Sequence, residues 1–200
     1  LAETLGARVH GIDYSEEMVR RARAKAEAKG LNVTFEPGDA HALPFDDGQF
    51  DIVISEATLC FLNKGRAIGE MARVARPGGR VGMHDLCWQE GAPEKLRETL
   101  GEIEAEWPET LAGWQRLFAE AGLDEFSNAD KSEAMARWMK DSRRALGLIG
   151  NIVLGVRILR RWGAPGLTRI LRAERVFNSP WLGYGMVAGI KPDRQKNPGS

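Results

Sequence analysis

Residues 9–18 read VHGIDYSEEM, and this stretch is the strongest indication of the fold class. The apolar run from Val9 to Ile12 ends in Asp13 and has the pattern of a buried strand. Ser15 can cap a helix that follows, and the acidic residues at positions 16 and 17 suit the positive end of that helix. The stretch therefore predicts a strand that passes directly into a helix ending near Gly30.

The same alternation continues through the first 90 residues. Strands are predicted over 33–36, 50–55 and 80–86, with a helix over 64–75. Short connections between alternating strands and helices indicate a parallel sheet with helices on both faces. Ligands of such sheets bind at the carboxyl ends of the strands. The candidate site residues are therefore those near the strand ends: Asp13, Asp39, Ser55, Glu56, His84 and Asp85.

Beyond residue 90 the composition shifts. Helices are predicted over 94–107, 110–121 and 134–162, and strands over 123–127 and 182–191. We interpret about 127–180 as a helical insertion into a single domain, and 193–200 as a polar tail.

The bulk composition restricts the class of protein. Of 200 residues, 43% are hydrophobic, enough for one core, and equal numbers of acidic and basic residues give no indication of a nucleic-acid partner. Positive charge is nevertheless concentrated from Arg137 to Arg175, a range that contains ten basic residues and only two acidic ones. Cys60 and Cys87 are too few for a disulfide framework and lack zinc-site spacing, which favours reduced thiols in a cytoplasmic protein.

Two carboxylates suit a bound nucleoside. Asp13, at a strand end, can accept hydrogen bonds from both ribose hydroxyls, a device that NAD enzymes share. Asp39 can accept from an adenine amino group, while the following backbone N–H donates to the ring. Each residue also has a structural alternative, because Asp13 could be a solvated strand-end residue and Asp39 could form an Asx turn or a helix cap.

Four short segments follow one another in order: GIDYSEEM at 11–18, GDAHALPF at 38–45, FDIVIS at 50–55 and RPGGRV at 76–81. Together they resemble the class I S-adenosylmethionine-dependent methyltransferases. Within that class they are most similar to the small-molecule branch that includes the ubiquinone/menaquinone-biosynthesis C-methyltransferases and other type 11 enzymes. The resemblance implies a Rossmann-like α/β fold, with a doubly wound, mostly parallel sheet and a final antiparallel strand.

The resemblance also implies roles for individual residues. Asp13 would bind the ribose hydroxyls, Tyr14 would pack against the adenine and Asp39 would accept from its amino group. The Ala40 backbone would reach the adenine ring, and Ser55 would line the methionine end of S-adenosylmethionine. The first strand and glycine-rich loop of the family would precede Leu1, so we expect an N-terminally truncated chain that binds the cofactor poorly.

The expected reaction is methyl transfer to a small-molecule acceptor, for which an apolar compound is one option. His84, Asp85 and Glu56 are the candidate acid–base residues, and His84 leads because an imidazole exchanges protons near neutral pH. A strand-end histidine with a purely structural role is the alternative.

The apolar stretch from Ala145 to Leu159 is shorter than the roughly 20 residues that span a bilayer. We rank packing in the core, or as a lid over the acceptor, ahead of contact between this basic insertion and an anionic membrane surface.

Two other functions remain open at this point. An NAD-type oxidoreductase would need a catalytic pair such as Tyr-x-x-x-Lys, and neither Tyr14 nor Tyr184 has that spacing. The other alternative is a non-catalytic, degenerate Rossmann-like scaffold. The sequence has no basic, aromatic-rich appendage of the kind that binds nucleic acid.

Overall fold

The structure is a computed structural model that describes residues 2–193; at residues 136, 138–140, 142–143, 146, 148–155 and 158 it describes the backbone alone. The elements follow in the order α1 (Ala2–Leu5), β1 (Val9–Asp13), α2 (Glu16–Ala28), β2 (Val33–Pro37), β3 (Phe50–Glu56), α3 (Lys64–Val74), β4 (Ala75–Trp88), α4 (Glu94–Glu104), β5 (Glu109–Thr110), α5 (Leu111–Glu120), β6 (Asp124–Asp130), α6 (Ser132–Phe177) and β7 (Leu182–Ile190). A single 3-10 turn spans Leu59–Phe61.

The strands form two sheets. β1 and β2 make a parallel pair, and the second sheet has the order β3-β4-β7-β6, with the short β5 beside the end of β4. β3 runs parallel to β4, whereas β7 is antiparallel to both β4 and β6. The predicted α/β class with a final antiparallel strand is thus confirmed. The strands described here do not join into the single sheet that we expected, because none of them pairs with the second edge of β1 or of β3.

The core lies on both faces of the second sheet. One cluster packs the sheet against α3 and α5, and the other packs it against α4 and α6. Alternate residues of β4 divide between the clusters, as expected for a strand with two buried faces: Val81 and Met83 belong to the first cluster, Leu86 and Trp88 to the second.

Two boundaries differ from the sequence-based expectation. β4 starts at Ala75, immediately after α3, because Ala75 already pairs with Phe50 and a shift in register before Ile52 accommodates the turn at Gly78. α4 ends at Glu104 rather than near residue 107, because Ala105 adopts a left-handed conformation with φ of 56°.

The helix predicted over 134–162 is longer in the structure, where α6 spans Ser132–Phe177. Gly147 and Gly163 have φ values of 63° and 68° and interrupt it, as glycine adopts these angles without a steric penalty. Among the described residues, no helix is both long and apolar enough to cross a membrane. The predicted tail lies outside the described residues from position 194 onward.

The loop after β2 is fixed to α3 by a polar network. Arg73 donates hydrogen bonds to the carbonyl oxygens of Phe45 (2.8 Å) and Leu43 (3.0 Å). Its guanidinium also pairs with the Glu70 and Asp47 carboxylates. Glu70 in turn accepts from the backbone N–H of Leu43 at 2.8 Å. This network holds residues 43–47 against α3.

Candidate functional site

The carboxyl ends of β1 and β2 lie side by side. Asp13 is the register partner of Pro37, and the N–H of Gly38 donates to the carbonyl oxygen of Asp13 at 3.0 Å. Asp39 follows directly after this pairing. Parallel pairing therefore places both predicted nucleoside-binding carboxylates at the same edge of the sheet.

Asp13 uses one carboxylate oxygen to shape the turn into α2. Its Oδ1 accepts from the N–H of Ser15 at 2.8 Å, and the Ser15 hydroxyl caps α2 by accepting from the N–H of Met18 at 3.3 Å. Within the described part of the chain, the Asp13 Oδ2 has no hydrogen-bond partner. The ring of Tyr14 is 85% exposed, which leaves its face open to a ligand.

Asp39, like Asp13, uses one carboxylate oxygen to shape a local turn. Its Oδ1 accepts from the N–H of His41 and lies 2.8 Å from the His41 Nδ1, so the Asx turn considered from the sequence is present. The backbone hydrogen bond from His41 is the main cause that lowers the pKa of Asp39, and the His41 ring and Arg66 add to it. Asp39 is therefore a carboxylate, and its Oδ2 has no partner in the residues that the structure describes.

His41 was not identified as a site residue from the sequence. Its Nε2 accepts from the backbone N–H of Asn63 at 3.0 Å, at the start of α3. Because Nε2 must then carry a lone pair, the proton lies on Nδ1 and is donated to Asp39. The Asp-x-His spacing was the available signal, but the contact with Asn63 spans 22 residues and is visible only in the fold.

Ala40 and Ser55 are both partly buried. The backbone N–H of Ala40 has no acceptor among residues 2–193, while its side chain packs against the first core cluster. Ser55 lies one residue before the end of β3, opposite Met83. Both positions are compatible with the roles that the resemblance implies.

Glu56 and His84 form a pair across the ends of β3 and β4. They are register partners, and the His84 Nδ1 lies 3.3 Å from the Glu56 Oε1. The centroid of the His84 ring is 4.9 Å from that of Tyr184 on β7. The imidazole is thus oriented by a carboxylate on one side and an aromatic ring on the other.

The structure gives Asp85 a different role from the one expected. Asp85 is completely buried, and its Oδ2 accepts from the backbone N–H groups of Thr58, Leu59 and Cys60 at 3.0, 2.8 and 3.4 Å. Its Oδ1 accepts from the N–H of Leu86. Because the carboxylate is fully buried and both of its oxygens accept from backbone amides, it is not accessible to a methyl acceptor. Asp85 instead anchors the turn that follows β3.

The two cysteines are free and buried. Burial, with a contribution from the Asp85 carboxylate, raises the pKa of the Cys87 thiol to about 12 and raises that of Cys60 as well. Protonated thiols are poor nucleophiles and poor metal ligands. Across residues 2–193, no group of three or more His, Cys, Asp or Glu side chains is arranged to hold a metal ion.

Glu106 is a second residue that the sequence did not indicate, because it fell within the predicted helix 94–107. It is partly buried in the loop after α4, and its Oε2 is inaccessible to solvent and has no hydrogen-bond partner in the described structure. Burial raises its pKa to about 7, and the Glu104 and Asp85 carboxylates contribute.

The residues at the ends of β1 and β2 fit the adenosine part of S-adenosylmethionine. A nucleoside needs acceptors for its ribose hydroxyls and adenine amino group, a donor to the ring and an apolar surface. Within the described residues, Asp13 and Asp39 each have one carboxylate oxygen without a donor, Ala40 has a backbone N–H without an acceptor, and Tyr14 has an exposed ring.

Comparison with known proteins agrees with this geometry. A family described as "Methyltransferase domain" matches residues 1–83. The 27-O-demethylrifamycin SV methyltransferase from Amycolatopsis mediterranei is 31% identical over 195 residues, which cover 92% of this chain and 69% of that protein. The demethylmenaquinone methyltransferase from Thermus thermophilus is 49% identical over 77 residues, or 38% of this chain. The chain spans only 35% of the length of that second relative.

The fold also has solved counterparts. Phosphoethanolamine N-methyltransferase 2 from Haemonchus contortus, in complex with S-adenosyl-L-methionine, superposes with a TM-score of 0.77 at 18% identity. The match covers 96% of this chain and 45% of that one, and at this identity it shows the fold alone. With the identity to the rifamycin enzyme, the ordered motifs and the strand-end carboxylates, these findings establish that the chain belongs to the class I S-adenosylmethionine-dependent methyltransferases.

Proposed function

We propose that the protein transfers a methyl group from S-adenosylmethionine to a small-molecule acceptor. The observation that carries this proposal is the pair Asp13 and Asp39, which lie at neighbouring strand ends. In each, one carboxylate oxygen has no donor in the part of the chain that the structure describes. No finding favours the oxidoreductase or the non-catalytic scaffold that the sequence left open.

Each of the five proposed cofactor-binding residues has one role in the proposal. Asp13 accepts from the ribose hydroxyls, Asp39 accepts from the adenine amino group, and the Ala40 N–H donates to the ring. Tyr14 covers the adenine face, and Ser55 faces the methionine end. When bound, the cofactor supplies a methyl group already activated by its positively charged sulfur. The protein then has to align the acceptor, and alignment of this kind is worth roughly 7–11 kcal/mol of the barrier.

His84 is the proposed base where the acceptor must lose a proton. The Glu56 carboxylate 3.3 Å away stabilises the imidazolium that results, and the Tyr184 ring limits the movement of the imidazole. The side chains of His84 and Glu56 are both accessible, which the transfer of a proton from an acceptor requires.

Calorimetry of S-adenosylhomocysteine binding to the complete protein tests the proposal. Asp39→Ala removes a charged hydrogen-bond acceptor and should weaken binding about 10- to 100-fold. Asp46→Ala is a matched control, because Asp46 is an exposed carboxylate in the same loop. Equal affinity in the Asp39 variant and the wild type would rule out the adenine assignment.

We further propose that α6 covers the acceptor, and that contact with an anionic membrane surface is its second candidate role. Val156, Leu159 and Trp162 are each 43–58% exposed and alternate with exposed arginines, a composition that suits anionic lipid. Co-sedimentation with phosphatidylglycerol vesicles, but not with phosphatidylcholine vesicles, is the result expected for membrane contact. If the protein does not co-sediment with phosphatidylglycerol vesicles, covering the acceptor remains as the proposed role of α6. The buried, free thiols support a cytoplasmic location.

A further inference from the structure

The contact between Glu56 and His84 joins two side chains that solvent reaches. The His84 side chain is 31% exposed and that of Glu56 is 75% exposed, with 3.3 Å between Nδ1 and Oε1. An exposed carboxylate on a flexible side chain gains little from a single ion pair, because fixing it costs conformational entropy. The contact therefore depends on how firmly the backbone holds the two residues, and especially Glu56 at the end of β3.

The backbone after Glu56 is held in an unusual conformation. Ala57 has φ of 48°, in the left-handed region that residues with a β-carbon adopt only where their surroundings enforce it. Its N–H donates to the carbonyl oxygen of His84 at 2.8 Å, and the Thr58 hydroxyl donates to the carbonyl oxygen of Glu56, also at 2.8 Å. The turn that leaves β3 is thus bonded directly to the residue that carries the imidazole.

Asp85 supplies the other contacts that keep this turn in place. Its Oδ2 accepts from the three consecutive N–H groups of residues 58–60, which begin the 3-10 turn and therefore have no acceptor within it. Leu59 and Cys60 are buried, so their N–H groups would be left without a partner if the carboxylate were removed. Asp85 is the neighbour of His84 on β4, and one strand thus holds both the imidazole and the turn that carries the Glu56 carboxylate.

The two nitrogens of the His84 ring have different surroundings. The Nδ1 faces the Glu56 carboxylate, whereas the Nε2 has no hydrogen-bond partner within residues 2–193. A carboxylate accepts hydrogen bonds but cannot donate them, so a neutral His84 that keeps this contact carries its proton on Nδ1 and its lone pair on Nε2. The contact therefore decides which nitrogen is available as a base.

We infer that Asp85 and Ala57 are positioning residues for the proposed base. They hold the turn after β3 so that the Glu56 carboxylate stays on the His84 Nδ1, and the Nε2 is then the atom that takes the proton of the acceptor. This proton forms a bond with Nε2 as its bond to the acceptor breaks, and the Nδ1–H stays on Glu56. The inference rests on the proposed function, because it specifies how the base of that reaction is oriented.

The tautomer of His84 in the complete protein reports on this positioning. Spectroscopy of ¹⁵N-labelled histidine distinguishes a proton on Nδ1 from one on Nε2, and at about pH 8.5 it observes neutral imidazoles. The resonance of His84 is assigned by its absence in His84→Gln. We expect the wild type to carry the His84 proton mainly on Nδ1.

Asp85→Asn should lower the ratio of the Nδ1–H to the Nε2–H tautomer about two- to tenfold, as should Glu56→Ala, which removes the contact itself. The Asp85 carboxylate accepts from backbone amides rather than from the imidazole, so its effect on the ring passes through the turn. Val19→Ala is the control for a general loss of stability. Val19 is buried on α2, away from the turn, and its substitution should leave the ratio unchanged.

Two substitutions of Ala57 test the left-handed conformation separately. Glycine adopts this conformation without a steric penalty, whereas a β-branched side chain strongly disfavours it. Ala57→Gly should therefore keep the wild-type ratio of tautomers, and Ala57→Val should lower it.

Three results would each overturn the inference: a wild-type His84 proton on Nε2, an unchanged ratio in Asp85→Asn, or equal ratios in the two Ala57 variants. Where Asp85→Asn fails to fold, the comparison of the Ala57 variants decides. The spectra require neither cofactor nor acceptor, so a failure here is distinguishable from a failure of the Asp39 binding test.

Discussion

The two sheets differ in how much of the buried core they contain and in how many of the proposed cofactor-binding residues they carry. Among the described residues before position 50, Val19 and Ala26 are the buried apolar side chains, whereas both core clusters lie beyond that position. Four of the five proposed cofactor-binding residues nevertheless lie in the first, thinly packed region. The recognisable binding motifs are therefore carried by a part of the chain whose stability depends on the second sheet.

The contacts that join the two regions are mainly polar. Arg73 and Glu70 hold the loop after β2, and His41 connects Asp39 with Asn63 at the start of α3. This arrangement implies that disturbing the second core unfolds the molecule, and that disturbing the polar contacts loosens the nucleoside edge. Four substitutions test these two expectations.

The largest effect is expected from Val81→Ala, and Val19→Ala makes the same change in the first region for comparison. Val81 is fully buried in the first core cluster, and Val81→Ala should cost about 2–3 kcal/mol of unfolding free energy through lost burial and a residual cavity. Val19 is 2% exposed but belongs to neither cluster, so Val19→Ala should cost only about 1 kcal/mol. Urea unfolding followed by circular dichroism measures the unfolding free energy of both variants. Equal losses of this free energy would show that the two regions are equally well packed.

Arg73→Ala should have an intermediate effect on the junction. It removes the hydrogen bonds to two loop carbonyl groups and the ion pair with Glu70, so the loss of stability should lie between the losses of the two valine variants. Arg73 lowers the pKa of Glu70, so the contact stabilises the fold above pH 4.5 and is lost as Glu70 becomes protonated. The stability gap to the wild type should therefore narrow below pH 4.5; a constant gap would show that Glu70 takes no part.

His41→Ala should have a small effect on stability and a distinct effect on binding. The loss of the acceptor for the Asn63 N–H should cost about 1 kcal/mol, and affinity for S-adenosylhomocysteine should fall about three- to tenfold as Asp39 loses its support. In the wild type, ¹⁵N spectroscopy should find the His41 proton on Nδ1. A proton on Nε2 would contradict the assigned hydrogen bonds.

The strands of the first 90 residues could be predicted because each is a short apolar run bounded by a turn signal. The start of β4 at Ala75 could not, because Arg76-Pro77-Gly78-Gly79 is a typical breaker and only the pairing of Ala75 with Phe50 makes it part of a strand. Similarly, the full length of α6 depends on its packing against α4 and β7, which a local pattern does not contain.

The candidate site shows the same limit. Asp13 and Asp39 were identifiable because the ends of adjacent parallel strands must meet. The anchoring role of Asp85 follows from three amides about 26 positions away. The Glu106 Oε2 lacks a donor among the described residues, and this depends on the whole surrounding fold. Neither property can be predicted from the local sequence.

A structure of the complete protein with S-adenosylhomocysteine tests the central claim most directly. The account predicts the ribose hydroxyls at the free oxygen of Asp13 and the adenine amino group at the free oxygen of Asp39, each within hydrogen-bonding distance of about 3 Å. A nucleoside bound away from either carboxylate would contradict it.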